Sequence, residues 1–251
     1  MATLAIGDIH GNLAALEDVL HQIQHECGAG DTVVFLGDYI DRGPDAKGCV
    51  DAILAFRQAS DAEVVCLLGN HEDWFLRTRQ DHRSHSWLFG MDAFETIRSY
   101  SVAAEQTLRD AVSNAGIDLY LGRLRLPYDD FFRCVPPEHI RFFESLRPYH
   151  RNADGVYVHA GLDPAVARIE EQAPGDLVWG ADGFPDAYEG SEVVVYGHWN
   201  NATVNARGWP GPAIAGRTIG IDTSSHGVLT ALRLPDRTIF QSARYPLRSD
   251  G

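Results

Sequence analysis

The sequence predicts an α/β fold in which two β-sheets pack face to face with helices outside, and three observations predict it. Three successive strand-loop-helix units fill the first 80 residues, and short β-type runs return after residue 155. Hydrophobic residues make up 45% of the 251, ample for a real core. Repeated units of this kind imply parallel strands joined by right-handed crossovers. Their polar loops then gather along one edge of the sheet, where ligands bind in open α/β sheets.

In the first unit, Thr3 to Ile6 reads as a strand running into Gly7-Asp8-Ile9-His10-Gly11-Asn12. Asn12 suits the N-cap of a helix whose apolar face is Leu13, Leu16, Leu20 and Ile23 and which ends near Gly28. Asp8 and His10 are two apart, so an extended segment points both to one side, as the approach to a single metal needs. A carboxylate with an imidazole suits zinc, manganese or iron better than calcium.

The second strand, Thr32-Val33-Val34-Phe35-Leu36, is β-branched and aromatic between turn residues. It delivers GDYIDRG, residues 37 to 43, in which Asp38, Asp41 and Arg42 come out of one turn. Such a cluster is costly unless a metal or an anion compensates it; a polar turn with a self-satisfied Asp-Arg pair is the alternative. Pro44 suits the first position of a helix burying Val50, Ile53 and Leu54. The third unit has a strand from Glu63 to Leu68, the loop Gly69-Asn70-His71-Glu72, and a helix beginning at Asp73 to Arg77.

From about Gln80 to Arg151 the pattern turns mainly helical, with pieces near Asp92 to Arg98, Ala103 to Asn114 and Pro137 to Leu146. With no Gly- or Ser-rich linker, we read a single domain over 1–251 with a helical insertion at about 80–150 that covers or shapes the site and sets substrate choice. Trp74, Trp87, Phe89, Tyr128, Phe131 and Phe132 are expected in core or lid packing rather than as a platform for bases. Asp81-His82-Arg83-Ser84-His85 has no third ligand at helical or strand spacing and is expected to be a solvated loop, not a metal cluster.

Strands resume at Gly155 to Val158, ending in His159-Ala160-Gly161, and at Glu192 to Tyr196, ending in Gly197-His198-Trp199. A histidine at a strand end is usually structural. Two that repeat the layout of the earlier loops point instead to the same edge. Thr218 to Asp222 and Val228 to Leu234 read as further strands, with Pro235-Asp236 turning into Thr238-Ile239-Phe240.

Twenty-one basic against 35 acidic residues give a net charge of −14. That surface repels phosphate backbones, so no nucleic-acid partner is expected, and a phosphate ligand needs strong local positive charge such as metal ions. No apolar run approaches a membrane span, and MATLAIGD has neither a basic leader nor a cleavage pattern, so a cytoplasmic chain without a membrane partner is expected. Cys27, Cys49, Cys66 and Cys134 are widely spaced without a CxxC pair and are expected to be reduced, mostly buried thiols.

Taken in order, GDIHG (7 to 11), GDYIDRG (37 to 43), GNHE (69 to 72), HAG (159 to 161) and YGH (196 to 198) resemble the signature of the phosphoprotein phosphatase family of calcineurin-like metallophosphoesterases, and more narrowly its small bacterial and phage serine/threonine phosphatases. The motifs span roughly residues 3 to 235, with the 80–150 insertion outside them. The resemblance implies a four-layer αββα sandwich of two mixed β-sheets and a site for two divalent ions, manganese first, with iron or zinc accepted by the same donors. It implies that Asp8 and His10 hold the first metal, that Asp38 bridges the pair, and that Asn70, His159 and His198 complete the ligand set. The ions would share a hydroxide for in-line attack on phosphorus. It further implies His71 as the general acid, Asp41 as the residue holding its tautomer, and Arg42 as a bidentate phosphate clamp.

The implied activity is hydrolysis of phosphoserine and phosphothreonine in proteins, and of small phosphate esters. A symmetrical dinucleoside tetraphosphate hydrolase has related motifs but often departs from the Asp-Arg pair at 41 and 42. A catalytically silent phosphoprotein-binding scaffold is a third reading, opposed by the complete ligand set with His71. One departure stands out: related enzymes carry a second phosphate-binding Arg in a Trp-x-Arg segment, where this chain has Trp179-Gly180-Ala181. A lost contact of that kind costs roughly 1.5 to 3 kcal/mol unless Arg207, Arg217 or an insertion residue replaces it.

Overall fold

Alternation along the first strands decides how the layers stack. Successive strand side chains face opposite ways, and here both sets are apolar, so the sheet they form is covered on both sides. The computed structural model describes residues 1–121 and 123–247. Its first part runs β1 (Thr3–Ile6), α1 (Leu13–Ile23), β2 (Thr32–Phe35), α2 (Ala46–Ala59), β3 (Glu63–Cys66) and α3 (Asn70–Gln80). The insertion holds α4 (Ser86–Gly90), α5 (Ala93–Tyr100), α6 (Val102–Asn114), α7 (Ile117–Tyr120), α8 (Tyr128–Phe132) and α9 (Pro137–Glu144). There follow β4 (Tyr149–Arg151), β5 (Val156–Val158), α10 (Pro174–Trp179), β6 (Val194–Tyr196), β7 (Thr203–Val204), β8 (Pro210–Gly211), β9 (Ala213–Ala215), β10 (Thr218–Gly220), β11 (Thr230–Leu234) and β12 (Thr238–Gln241).

One five-stranded sheet has the order β12-β11-β1-β2-β3, with β1, β2 and β3 parallel and β11 and β12 antiparallel. The other has the order β4-β5-β6-β10-β9, parallel at β5, β6 and β10 and antiparallel at both edges. Leu4, Ile6, Val33 and Phe35 face α1, α2 and the insertion, while Ala5, Val34 and Leu36 face Tyr157, Val195 and Ile219 of the second sheet. The outer face of that sheet, Val156, Val158, Val194 and Tyr196, packs on Leu177 and Val178 of α10. Helix, sheet, sheet, helix is the expected four-layer sandwich with two mixed sheets. Each fully buried Val, Leu, Ile or Phe in these layers contributes roughly 1.5–3 kcal/mol relative to exposure.

Local boundaries depart from expectation in instructive ways. Asn12 caps α1 as expected, its side-chain oxygen accepting from Ala15 N. Pro44 is not the first residue of α2; Asp45 is the cap, accepting from Gly48 N at 2.8 Å, and the proline lies in the preceding turn. Helix α3 starts at Asn70 rather than Asp73, so Asn70 and His71 sit on its first turn. The segment 81–85 is not a solvated loop throughout, since His82 and His85 are buried. The His85 ring donates Nε2–H to Leu124 O at 2.8 Å, and His82 stacks on Phe132. Only Asp81 and Arg83 face solvent there.

Trp87, Phe131 and Phe132 surround Phe75 with ring centroids 5.2–6.3 Å apart, the core packing expected of them, whereas Phe89 is 46% exposed. All four cysteines are free; Cys49 and Cys66 are buried, Cys27 half-buried and Cys134 exposed. No described helix is long and apolar enough to cross a membrane.

Candidate metal centre

The loops after β1, β2 and β3 meet those after β5 and β6 at one rim. Backbone bonds tie the first two loops together: Ile9 N and His10 N both donate to Asp38 O, and Gly11 N donates to Tyr39 O. Across the sheets, Gly197 N donates to His159 O at 2.8 Å. His10, Asp38, Asp41, Arg42 and His198 all have positive φ, between +47° and +69°. Non-glycine residues persist in that region, at about 1–3 kcal/mol each, only where surrounding structure holds them, and such residues cluster at functional sites. Asp8 and His10 converge because His10 turns left-handed at φ +47°, not because the segment is extended.

Two positions need glycine. A Cβ on Gly37, itself at φ +111°, would lie 2.7 Å from Gly69 N and 2.9 Å from His159 Nδ1. One on Gly197 would fall on the Asp8 carboxylate.

Six predicted ligands come together. His10 Nε2 lies 3.9 Å from Asp8 Oδ2 and 3.5 Å from Asp38 Oδ2, and His159 Nε2 lies 3.4 Å from Asp38 Oδ1. Asn70 Oδ1 is 3.0 Å from both His159 Nε2 and His198 Nδ1. Donor atoms of His10, Asp38 and His71 form one group, and those of Asp38, His159 and His198 a second, each within 4.8 Å of one another. Asp38 belongs to both, with Oδ2 toward His10 and Oδ1 toward His159.

The ring tautomers test whether cations fit. His10 Nδ1 donates to Ile40 O at 3.2 Å and His159 Nδ1 donates to Leu36 O at 3.0 Å, because a carbonyl can only accept. Each Nε2 is therefore a lone pair aimed at Asp38. His10 Nε2 has no hydrogen-bond partner although it is buried. Turning the Asn70 amide over would let its NH2 donate to both imidazoles and to Asp38, but would leave His10 Nε2 orphaned. Facing lone pairs with an unsatisfied nitrogen among buried carboxylates are what divalent ions relieve, so the residues fit.

At the imidazoles and Asp38 the electrostatics suit ligation, whereas Asp8 is crowded by like charge. Burial, followed by the neighbouring His71 charge, holds His10 below the ordinary histidine range, and burial with His159 lowers His198 to about 4. Both are neutral imidazoles at pH 7. Burial pushes Asp38 up, but the four surrounding imidazoles outweigh it and bring its carboxyl below the ordinary range. Asp8 is raised, by burial first and then by Asp222 and Asp38.

Beside these donors, His71 Nδ1 donates to Asp41 Oδ2 at 2.8 Å, with both side chains fully buried. His71 Nε2 lies 3.3 Å from Arg42 Nη2 and 3.8 Å from Asp38 Oδ2. Burial lowers His71, but the Asp38 charge and the Asp41 hydrogen bond outweigh it and raise the ring above its ordinary value. Outside Arg42 opens a cavity of about 800 Å³ walled by Phe94, Arg98 and Arg109 of the insertion. Arg217 lines a different cavity with Asp154 and Glu192, so of the residues considered for the absent arginine at 181, only insertion residues share Arg42's cavity.

Four residues that hold the site carry no site role in the sequence reading. Glu72 is fully buried and accepts from the amides of Asp38, Tyr39, Ile40 and Gly69, clamping two loops together. From the third helical position it accepts from Gly69 N at 3.2 Å, the half of a capping box that needs no capping side chain, and Gly69 in place of Ser or Thr hides that signal in the sequence. Buried Asp222 accepts from Asn200 N at 2.8 Å and so anchors the His198 loop. Trp87 and Thr96 both bond to Asp41, from far along the chain, and no sequence pattern announces them.

Known proteins resemble this chain over much of its length. A symmetrical bis(5'-nucleosyl)-tetraphosphatase of Proteus mirabilis is 25% identical over 280 aligned positions, covering 96% of this chain and 97% of that one. Serine/threonine-protein phosphatase 1 of Salmonella typhimurium is 34% identical over 104 positions, covering 41% of this chain and 45% of its own. Among solved structures, a proposed diadenosine tetraphosphatase superposes with a TM-score of 0.62 at 20% identity, covering 97% of this chain and 94% of that one, which shows the shared fold. The family model of the calcineurin-like phosphoesterases matches residues 1–202, and the chain belongs to that family.

Proposed function

We propose that this phosphoesterase hydrolyses phosphate monoesters, with phosphoserine and phosphothreonine of proteins as its substrate class. The observation that carries the reading is the buried His71–Asp41 pair, with Nδ1 and Oδ2 at 2.8 Å, set between Arg42 and the shared ligand Asp38. A serine or threonine alkoxide is a poor leaving group and departs only if a proton reaches it. In the structure His71 Nε2 accepts from Arg42 Nη2. With the ring protonated, as Asp38 and Asp41 favour, and Arg42 drawn onto the phosphoryl oxygens, His71 supplies that proton from Nε2 while Asp41 keeps the other nitrogen protonated. Asp8, His10, Asp38, Asn70, His159 and His198 would hold two divalent cations, manganese among them, which supply an activated water and neutralise the phosphoryl charge when bound.

A second reading has its own support. Relatives that match over 96% of the chain include symmetrical bis(5'-nucleosyl)-tetraphosphatases, and the cavity beside Arg42, whose wall sets Arg98 and Arg109 against Asp92 and Glu95, has room for a longer substrate. A nucleotide leaving from a phosphoanhydride needs less help from an acid, so this chemistry makes weaker use of the His71–Asp41 pair.

Turnover of a phosphothreonine peptide and of diadenosine tetraphosphate by the manganese-loaded protein separates the two. The monoesterase reading expects at least a roughly 10-fold higher kcat/KM on the peptide, and the reverse order overturns it. Asp38→Asn is expected to lower p-nitrophenyl phosphate turnover by roughly 100-fold or more, and unchanged turnover would remove the two-metal chemistry altogether.

A further inference from the structure

We propose that the helical insertion contributes two positioning residues, Trp87 and Thr96, which fix the Asp41 carboxylate and through it the His71 ring, an assignment that builds on the reading of His71 as the proton donor. Both oxygens of Asp41 are engaged. Oδ2 accepts from His71 Nδ1 and from Trp87 Nε1, each at 2.8 Å, and Oδ1 accepts from Thr96 Oγ1 at 2.6 Å. Thr96 Oγ1 in turn accepts from the backbone N–H of Asp41 at 2.8 Å, so one hydroxyl holds residue 41 by main chain and side chain together. All four side chains are fully buried.

A carboxylate bonded only to the imidazole can still turn about its Cβ–Cγ bond, and the ring can follow it. Donors on both oxygens fix the carboxylate plane, and therefore the direction in which His71 Nε2 points. That nitrogen faces Arg42 and Asp38, where a leaving oxygen would sit. Asp41 and Arg42 are moreover left-handed at φ +69° and +65°, a conformation that needs outside support. The support is itself immobile, because the Trp87 ring is packed edge-on to Phe75 at 5.2 Å and against Phe131 at 5.6 Å. Aromatic packing within the insertion thus reaches the reacting centre through a single indole N–H.

A misaimed proton donor harms a poor leaving group far more than one that departs unprotonated. The test compares kcat for phenyl phosphate and p-nitrophenyl phosphate, with manganese, in the wild type, His71→Asn, Trp87→Phe, Thr96→Val and Thr96→Ser. We expect Thr96→Val and Trp87→Phe to lose roughly 5- to 30-fold more on phenyl phosphate than on p-nitrophenyl phosphate, and Thr96→Ser, which keeps the hydroxyl, to retain the wild-type ratio.

His71→Asn sets the scale with a larger selective loss. Equal losses on both substrates in His71→Asn would remove the proton-donor reading itself. Selective loss in His71→Asn but equal losses, or none, in Thr96→Val would overturn the role of the insertion. Should Trp87→Phe not fold, the Val and Ser variants at position 96 decide alone. In the metal-free protein, at alkaline pH where the ring is neutral, the ring nitrogens of His71, assigned by their absence in His71→Asn, are expected to report a fixed Nδ1–H tautomer in the wild type and Thr96→Ser and an averaged one in Thr96→Val. An unchanged spectrum in Thr96→Val counts against the proposal.

Discussion

Glu72 offers the sharpest test of how the rim is held. Its Oε2 accepts from Asp38 N at 2.9 Å and Gly69 N at 3.2 Å, and its Oε1 from Tyr39 N at 2.9 Å and Ile40 N at 3.3 Å. Burial and the Asp38 charge push the carboxyl up to about 8, yet all four of these partners are donors, the environment of an anion. Glu72→Gln keeps the size and offers one oxygen in place of two, so in either amide orientation two backbone donors face an NH2 group. A buried donor left without an acceptor costs about 1–3 kcal/mol, which makes the loss roughly 2–6 kcal/mol. At about 2–4 °C per kcal/mol for a chain of this length, the midpoint of thermal unfolding should fall by roughly 5–20 °C. Because one of the displaced amides belongs to Asp38, manganese retained after desalting should fall in parallel. Circular dichroism melting and elemental analysis read the two effects. A variant that melts within ~2 °C of the wild type with its full metal content would show that Glu72 does not hold these loops.

Two further outcomes follow from the geometry of the donors. Gly197→Ala puts a methyl group on the Asp8 carboxylate and strains the junction where Gly197 N meets His159 O, so manganese affinity by calorimetry should drop roughly 10- to 100-fold with the circular dichroism spectrum unchanged. Chelation should lower the melting temperature, and manganese returned at a hundred times its Kd should restore about 2.7 kcal/mol, or roughly 5–10 °C, whereas a midpoint indifferent to both would contradict a buried two-cation site.

What could be read in the chain was what repeats locally. The β-branched run 32–36, the Asn12 cap and the polar loops at strand ends obey short-range rules, and they point to the parallel strands and to one polar rim, while the set of six donors comes with the family resemblance. The strands β4, β7, β8 and β9 escape the sequence because they are two or three residues long and, unlike the equally short β5 and β6, do not sit in an apolar β-branched run. Asn70 and His71 read as loop in the sequence although they begin α3, since Gly69 replaces the usual capping side chain and Glu72 closes the turn from inside. His82 and His85 looked solvated because polar neighbours, Asp81 and Arg83, hide the fact that Tyr128 and Phe132 fold back over them. The bonds from Trp87 and Thr96 to Asp41 span 46 and 55 residues, and no periodicity encodes a contact of that kind.

The donors are divided between two sheets: Asp8, His10, Asp38 and Asn70 follow strands of one, His159 and His198 strands of the other. The distances from the first group to the second are therefore inherited from the thickness of the aliphatic seam between the sheets, where Ala5, Val34, Val195 and Ile219 meet. A methylene added or removed in that seam, remote from every charged atom, would open or close the rim like the jaws of a vice. The spacing on which the chemistry depends is gauged by hydrocarbon.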